Sequence, residues 1–236
     1  MRGENDDSRG FALSVIGFLF VVAFVAFLYS PYFNITHVEI LGAEAVTEEE
    51  ILLALGLVGQ KNIFRFDAAR AQERLEEMPQ VRSVEIARRL PGSVIVTLEE
   101  REPVAIIPYT EAFYTIDGSG VVLGPAHLLD LPVLNGQTPV GLALGEVVAS
   151  RSIQTGARVA ALCTPAMRDE ISEINVLDLE DIQLVTRHGV RVRLGPGVDL
   201  PLKIDVLESL LYRLPSGPAS LDLRLPHTPV LEKRPQ

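Results

Sequence analysis

The sequence predicts an α+β protein carried on a single N-terminal transmembrane helix, and three observations lead there. Residues Phe11 to Tyr29 contain no charged side chain. Behind them, apolar positions alternate between strand and helix periods in the order strand, helix, helix, strand, strand. From about residue 102, strand-type alternation dominates and is interrupted by two helical stretches.

The apolar run spans about 28 Å as a helix, close to the ~30 Å of a bilayer core. In lipid its backbone can pair only internally, which requires a helix. Ser30, placed before Pro31, is biased away from helix and marks the exit. A cleaved signal peptide has an apolar core of about 7–15 residues and a small-x-small cleavage site. "AFLYSP" is a poor match, so an uncut anchor is expected over 11–29. Arg2 and Arg9 precede it, and the next Lys or Arg is Lys61. The positive-inside rule then puts the tail 1–10 in the cytoplasm and the remainder outside the cytoplasmic membrane.

A first module is expected over 33–101. Val38 and Ile40 alternate with polar neighbours as a short strand, Phe33 and Ile35 lie out of phase with them, and Gly42 ends it. "TEEE" reads as a capping box, Thr47 as N-cap and Glu50 three residues on. Ile51, Leu52 and Leu55 supply the buried face, and Gly56 stops the helix. Asp67 caps a second helix with Ala71, Leu75 and Met78 inward, closed by Pro79. Val84 and Ile86 form a second strand. "LPGS" reads as a type II turn with Gly92 at its third position, leading to a third strand with Val94, Val96 and Leu98. Three strands with two helices on one face bury this pattern economically.

A second module, a mixed β-domain with flanking helices, is expected over 102–231, with a tail at 232–236. Its strands are Val104 to Ile107, a hairpin from Phe113 to Leu123 turning at 117–120, "LPVLNG", Ile174 to Val176, Ile182 to Thr186, and Val190 to Leu194. One helix runs from Ser150 to Leu162 with Ile153, Ala157, Ala160 and Ala161 inward, ended by Pro165. Another runs from Asp199 to Leu214 with Leu202, Val206, Leu207, Leu210, Leu211 and Leu214 inward. Leu221, Leu223 and Leu225 alternate with Asp222 and Arg224 as a last, short strand stopped by Pro226.

Net charge is −10, and no basic stripe offers itself to phosphates, so no nucleic-acid partner is expected. Cys163 is the lone cysteine and the four histidines are scattered, which rules out an intrachain disulfide and gives no metal-ligand spacing. "GPG" at 195–197 follows a hairpin and does not open a βαβ unit, so it reads as a loop. Ser119 sits at a hairpin tip and Asp117 beside it as turn chemistry. Cys163 reads as a packed thiol, and His37 has no base or nucleophile beside it. No catalytic residue, cofactor or metal is expected, and interaction is the default. An exposed sheet edge offers main-chain donors and acceptors to a partner strand.

The strings "FNITHVEILG", "NIF" at 62–64, "PQVRSVEIARRLPGSVIV" and "EEREPVA" together resemble the POTRA module (β-α-α-β-β) of the FtsQ/DivIB family of bacterial cell-division proteins. The "D-x-x-G" turn, "LPVLNG", "GVRVRLG", "LKIDVLESLL" and "SLDLRLPHTPVL" resemble the family's β-domain. The family commonly has an aromatic residue after "DLR", where this chain has Leu225. The resemblance implies a non-catalytic divisome scaffold in the cytoplasmic membrane at the septum, linking early and late division proteins. Its implied partners are FtsB/DivIC-like and FtsL-like bitopic proteins, and through them the septal peptidoglycan synthase complex. The implied contact residues are Leu221, Asp222, Leu223, Arg224, Leu225, Val230 and Leu231, with Val38, Ile40, Asn62 and Phe64 as a weaker POTRA edge. A membrane stem that hands over within a few residues to the first module would hold it near membrane-anchored partners at raised effective concentration. One alternative is a POTRA-containing transport or assembly component, though about 130 further residues are too few for a 16-strand barrel at about 10 residues per strand. Another is an extracytoplasmic cell-wall hydrolase.

Overall fold

The computed structural model describes residues 4–57, 61–126, 130–137 and 139–233. The end of the expected tail, beyond Lys233, and residues 1–3 of the expected cytoplasmic tail lie outside the described residues. The chain divides into two units, Met1–Glu77 with Val81–Glu100, and Met78–Gln80 with Arg101–Gln236.

The first unit opens with helix α1 (Glu4–Leu28). It begins before the expected span, and most of its described apolar side chains, Phe18 and Phe20 among them, are exposed. Among the described residues no helix is long and apolar enough to cross a membrane. The span expected over 11–29 is therefore not established by the fold. A 3₁₀ turn, Pro31–Phe33, follows. It accounts for the phase change between Phe33 and Val38, because the first strand starts only at His37.

That strand, β1 (His37–Leu41), is followed by α2 (Glu48–Leu55), α3 (Ala68–Glu76), β2 (Val81–Arg89) and β3 (Ser93–Glu100). The sheet order is β1-β3-β2, with β1 parallel and β2 antiparallel to β3. The capping box forms in full: Thr47 Oγ1 accepts from Glu50 N, and the Glu50 carboxylate accepts from Thr47 N. Gly56 ends α2 with φ 63°, and Asp67 accepts from Arg70 N at the start of α3. Ile51, Leu55, Ile63, Phe66, Leu75, Val94 and Val96 make the core. Met78, expected inside α3, falls beyond its end. The Glu100 carboxylate collects three backbone amides, those of Glu44, Ala45 and Val46, at 2.8–3.1 Å, and so ties the loop before α2 to the end of β3.

The turn between β2 and β3 corrects the expectation. Leu90–Pro91 is cis, and Gly92 is not among the glycines of positive φ, which a type II turn requires. The glycine serves close approach instead: a Cβ on Gly92 would lie 2.3 Å from the Asn34 carbonyl oxygen. Gly92 O in turn accepts from Thr36 N at 2.9 Å.

The second unit is a nine-stranded sheet in the order β12-β11-β10-β9-β8-β7-β4-β5-β6. Its strands are β4 (Pro103–Tyr109), β5 (Ala112–Asp117), β6 (Val122–Pro125), β7 (Val133–Asn135), β8 (Ile171–Asn175), β9 (Ile182–Thr186), β10 (Val190–Gly195), β11 (Ala219–Asp222) and β12 (Val230–Lys233). Helices α4 (Arg151–Leu162), α5 (Pro165–Glu170) and α6 (Leu200–Leu211) complete it. One apolar core joins Ile107, Ile116 and Leu134 to Ile153, Ala157, Ile174, Leu184, Val192 and Leu207.

Four helix and strand assignments change. Pro165 does not only end α4; it opens α5 as its first residue, after Thr164 caps it through Met167 N. Ala161 is exposed, and Val159 is buried in its place. In α6, Leu202 is exposed while Ile204 and Lys203 are buried. The lysine is tolerated there because its Nζ donates to Leu194 O (2.7 Å), at the end of β10, and to Pro196 O (3.0 Å), in the loop that precedes the helix. The last expected strand stops at Asp222, and the chain beyond it returns as β12.

Asp117 organises the β5–β6 turn. Its buried carboxylate accepts from Ser119 N, Ser119 Oγ and Val121 N at 2.7–2.9 Å and pairs with Arg101 at 2.9 Å. Burial pushes its pKa up, but the hydrogen bonds from Ser119, Val121 and Arg101 outweigh that and hold it below the ordinary value. A lowered folded pKa contributes stability that is present above the unfolded value of about 3.9 and lost as pH falls through the folded one. Asp117→Asn is therefore expected to cost about 2–3 kcal/mol at neutral pH, read as faster amide exchange in β4 and β5. The variant's deficit should shrink as the pH is lowered below 4.

Candidate partner-binding site

Strand β11 pairs on one side with β10, in parallel, through Val190↔Ala219 to Arg193↔Asp222. On its other side it pairs antiparallel with β12, through Ala219↔Lys233 to Asp222↔Val230. β12 is the last strand in the sheet order, so among the described residues its outer side has no strand neighbour. The border lies on 230–233, one strand further out than expected, because residues 223–229 reverse the chain. Leu223 N donates to Arg193 O (2.8 Å) and Thr228 N to Leu225 O (3.1 Å), which shape that reversal.

This topology sorts the expected contact residues. Leu221 and Leu223 are buried, at 2% and 0% exposed, and belong to the core; their alternation reports packing on the helices. Leu225, Val230 and Leu231 remain outward at 70%, 51% and 45%. Register places Leu231 opposite Leu221, on the core-facing side, and Val230 opposite Asp222 on the other. Asp222, Arg224, Leu225, Thr228 and Val230 line a shared groove.

The two charges expected to meet a partner meet each other. Arg224 Nη2 lies 2.6 Å from Asp222 Oδ2, its Nε donates to both carboxylate oxygens at 2.9–3.0 Å, and its backbone N donates to Oδ1 at 3.0 Å. The side-chain bond from Arg224 is the largest influence on Asp222 and draws its pKa below the ordinary value; the Arg224 pKa is raised in return, first by the same bond. Arg224 leans over Gly195, where an added Cβ would lie 2.8 Å from its Cγ. One strand inward, Arg193 pairs with Asp181 at 3.0 Å. The rim is thus made of mutually neutralised pairs beside apolar side chains.

In the first module β1 is a border strand, paired among the described residues with β3 alone. Val38 and Ile40 are half-buried. Asn62, expected at that edge, is buried and spends its side-chain amide on Leu28 O and Ser30 O at 3.0 and 3.3 Å. It is structural and not free for a partner. Phe64 keeps an exposed ring.

The residues weighed for catalysis are placed as follows. Ser119 Oγ donates to Asp117 in the β5–β6 turn. The Pro196 carbonyl is bound by Lys203. Cys163 is buried, its thiol facing Val159 O at 3.4 Å, and burial pushes its pKa up to about 12. Among the described residues no group of three or more His, Cys, Asp or Glu is placed to hold a metal ion.

Residues 33–101 match the family model of the FtsQ-type POTRA domain, and residues 105–224 match that of the C-terminal region of cell division protein FtsQ/DivIB. The chain belongs to the FtsQ/DivIB family of cell division proteins. A family member from Myxococcus fulvus, cell division protein FtsQ, is 30% identical over 72% of this chain and 61% of its own length. FtsQ of Syntrophotalea carbinolica is 28% identical over 86% of this chain and 75% of its own. Cell division protein DivIB of Staphylococcus aureus is 30% identical over 47% of this chain and 26% of its own. The chain thus spans between about a quarter and three quarters of these relatives' lengths.

A carbon-detected NMR titration checks the rim. The Asp222 carboxyl is expected to titrate below the usual ~3.9 and to move up toward it in Arg224→Gln. A midpoint unmoved by that change would assign its depression to another donor.

Proposed function

We propose that this chain is a non-catalytic, single-pass scaffold of the bacterial division machinery. In this reading α1 is the anchor, its N-terminus is cytoplasmic, and both modules stand outside the cytoplasmic membrane at the septum. The uncharged run Phe11 to Tyr29 and the exposed apolar side chains of α1 support the anchor: a helix apolar on all sides is buried in protein or lipid.

The observation that carries the docking role is β12, a border strand with exposed Leu225, Val230 and Leu231 around it. A partner strand laid along β12 would take affinity from main-chain hydrogen bonds and specificity from alternating side chains. The occupants proposed are FtsB/DivIC-like and FtsL-like bitopic proteins, which would connect this chain to the septal peptidoglycan synthase and to earlier division proteins. With Leu at 225, the rim offers an aliphatic contact in place of the family's usual ring. The internally paired Asp222 and Arg224 would set orientation more than strength, as rim charges do.

Photo-crosslinking in dividing cells from positions 225, 230 and 231 is expected to capture an FtsB/DivIC-type protein. Leu231→Glu with Leu225→Glu should weaken that capture by about 30-fold or more, the size of a lost hot spot. The fold should be spared, because the two side chains are 45% and 70% exposed. Capture undiminished by the double variant would reject the β12 edge as the site.

A further inference from the structure

An α-helix ends in carbonyl groups without intrahelical donors, and the end of α1 is held from outside. Asn62 Nδ2 donates to Leu28 O and Ser30 O, and Asn62 Oδ1 accepts from Phe64 N at 3.0 Å. One buried amide therefore fixes both the helix exit and the loop beside it. Two further bonds pair that loop with the chain leaving the helix: Ile35 N to Lys61 O and Ile63 N to Phe33 O, both 2.8 Å. The Phe33 ring packs edge-on against Phe27 and Phe64 at 5.2 Å, and the Arg65 guanidinium lies 5.4 Å over the Tyr29 ring. Lys61 to Arg65 thus cannot drift from the last turn of α1 without breaking these contacts.

The inference rests on the reading of α1 as the anchor. On that reading Leu28 lies where hydrocarbon gives way to headgroups, and whatever is bonded to it lies at the same depth. The side chains there have interfacial chemistry. Tyr32, Tyr29 and Phe64 are 66%, 55% and 40% exposed, and amphipathic rings are enriched at membrane–water interfaces. Lys61 and Arg65 enter no ion pair among the described residues, in a chain of net charge −10. The nearest acid in sequence, Asp67, is engaged as the cap of α3.

We propose that Lys61–Arg65, together with Tyr29 and Tyr32, forms a lipid-binding foot of the POTRA domain. Lys61 and Arg65 take phospholipid headgroup phosphates, and the Phe64 ring seats in the interfacial layer. The first module is then held at a fixed attitude to the bilayer by its own loop as well as by its stem. Its free β1 edge is presented in one direction and does not sweep about a flexible joint.

The chain contains no tryptophan, so a single introduced indole reports alone. Phe18→Trp, Phe64→Trp and Tyr32→Trp are made in the full chain and reconstituted into vesicles of phosphatidylcholine and phosphatidylglycerol. The phosphatidylcholine is brominated at either deep or shallow acyl positions. Deep bromines should quench the indole at 18 most, and shallow bromines those at 64 and 32. Tyr32→Trp replaces a largely exposed ring, so it reads the loop even where the indole at 64 disturbs Phe33. Lys61→Glu with Arg65→Glu should shift the seated-to-unseated ratio of the loop by at least about fivefold, the effect of a basic residue near a charged membrane surface. Quenching at 18 without quenching at 64 and 32 overturns the foot and leaves the anchor standing. Absence of quenching at 18 overturns both. Quenching at 64 and 32 unchanged by the charge reversals overturns the phosphate contact on which the proposal rests.

Discussion

A β-strand carries hydrogen-bonding groups along both of its sides, and among the described residues β12 has a strand neighbour on one of them. The rest of the second module keeps that side accessible. Parallel pairing of β10 with β11 sets the direction of β11, and the reversal at 223–229 sends the chain back along it, so the border falls on the last described strand. Water satisfies such a border at little gain. A partner strand satisfies it with a ladder, and the apolar side chains around it supply the burial that a ladder alone lacks.

A border strand docks well only if the sheet behind it is stiff, and both modules are stiffened by polar groups placed where loops must be held. Asp117 gathers the β5–β6 turn, Glu100 gathers three amides before α2, and Lys203 closes the loop before α6 onto the helix itself. Each is a charge whose hydrogen bonds offset the cost of withdrawing it from water, and each bridges elements that apolar packing alone would leave loosely related. Asn62 does the same for the end of α1.

Local signals were readable from the chain. The Thr47–Glu50 capping box, the glycine at the end of α2 and the alternation in β3, β9 and β10 all depend on residues within a few positions of one another. What the sequence hid was long-range. Leu221 and Leu223 alternate as a half-exposed strand should and are buried accordingly, but the alternation did not show that β12 would cover the flank of β11. "PHTPVLEKRPQ" gives little sign of a strand, since three prolines and a histidine break its period; β12 exists by pairing with β11. Glu100 reaches backbone amides 54–56 residues away, and no spacing rule announces that. Asn62 lay in the "NIF" string that carried the family resemblance, but its part in binding α1 appears only when helix end and loop are brought together.

The central proposal is that β12 gains a strand neighbour when an FtsB/DivIC-type protein binds. Hydrogen–deuterium exchange of residues 230–233, with and without the extracytoplasmic segment of an FtsB/DivIC-type protein, tests it most directly. The account predicts that amides on the outer side of β12 exchange freely in the isolated chain and are slowed on binding, with β1 unchanged. Binding that slows exchange elsewhere and leaves 230–233 as fast as before would contradict it.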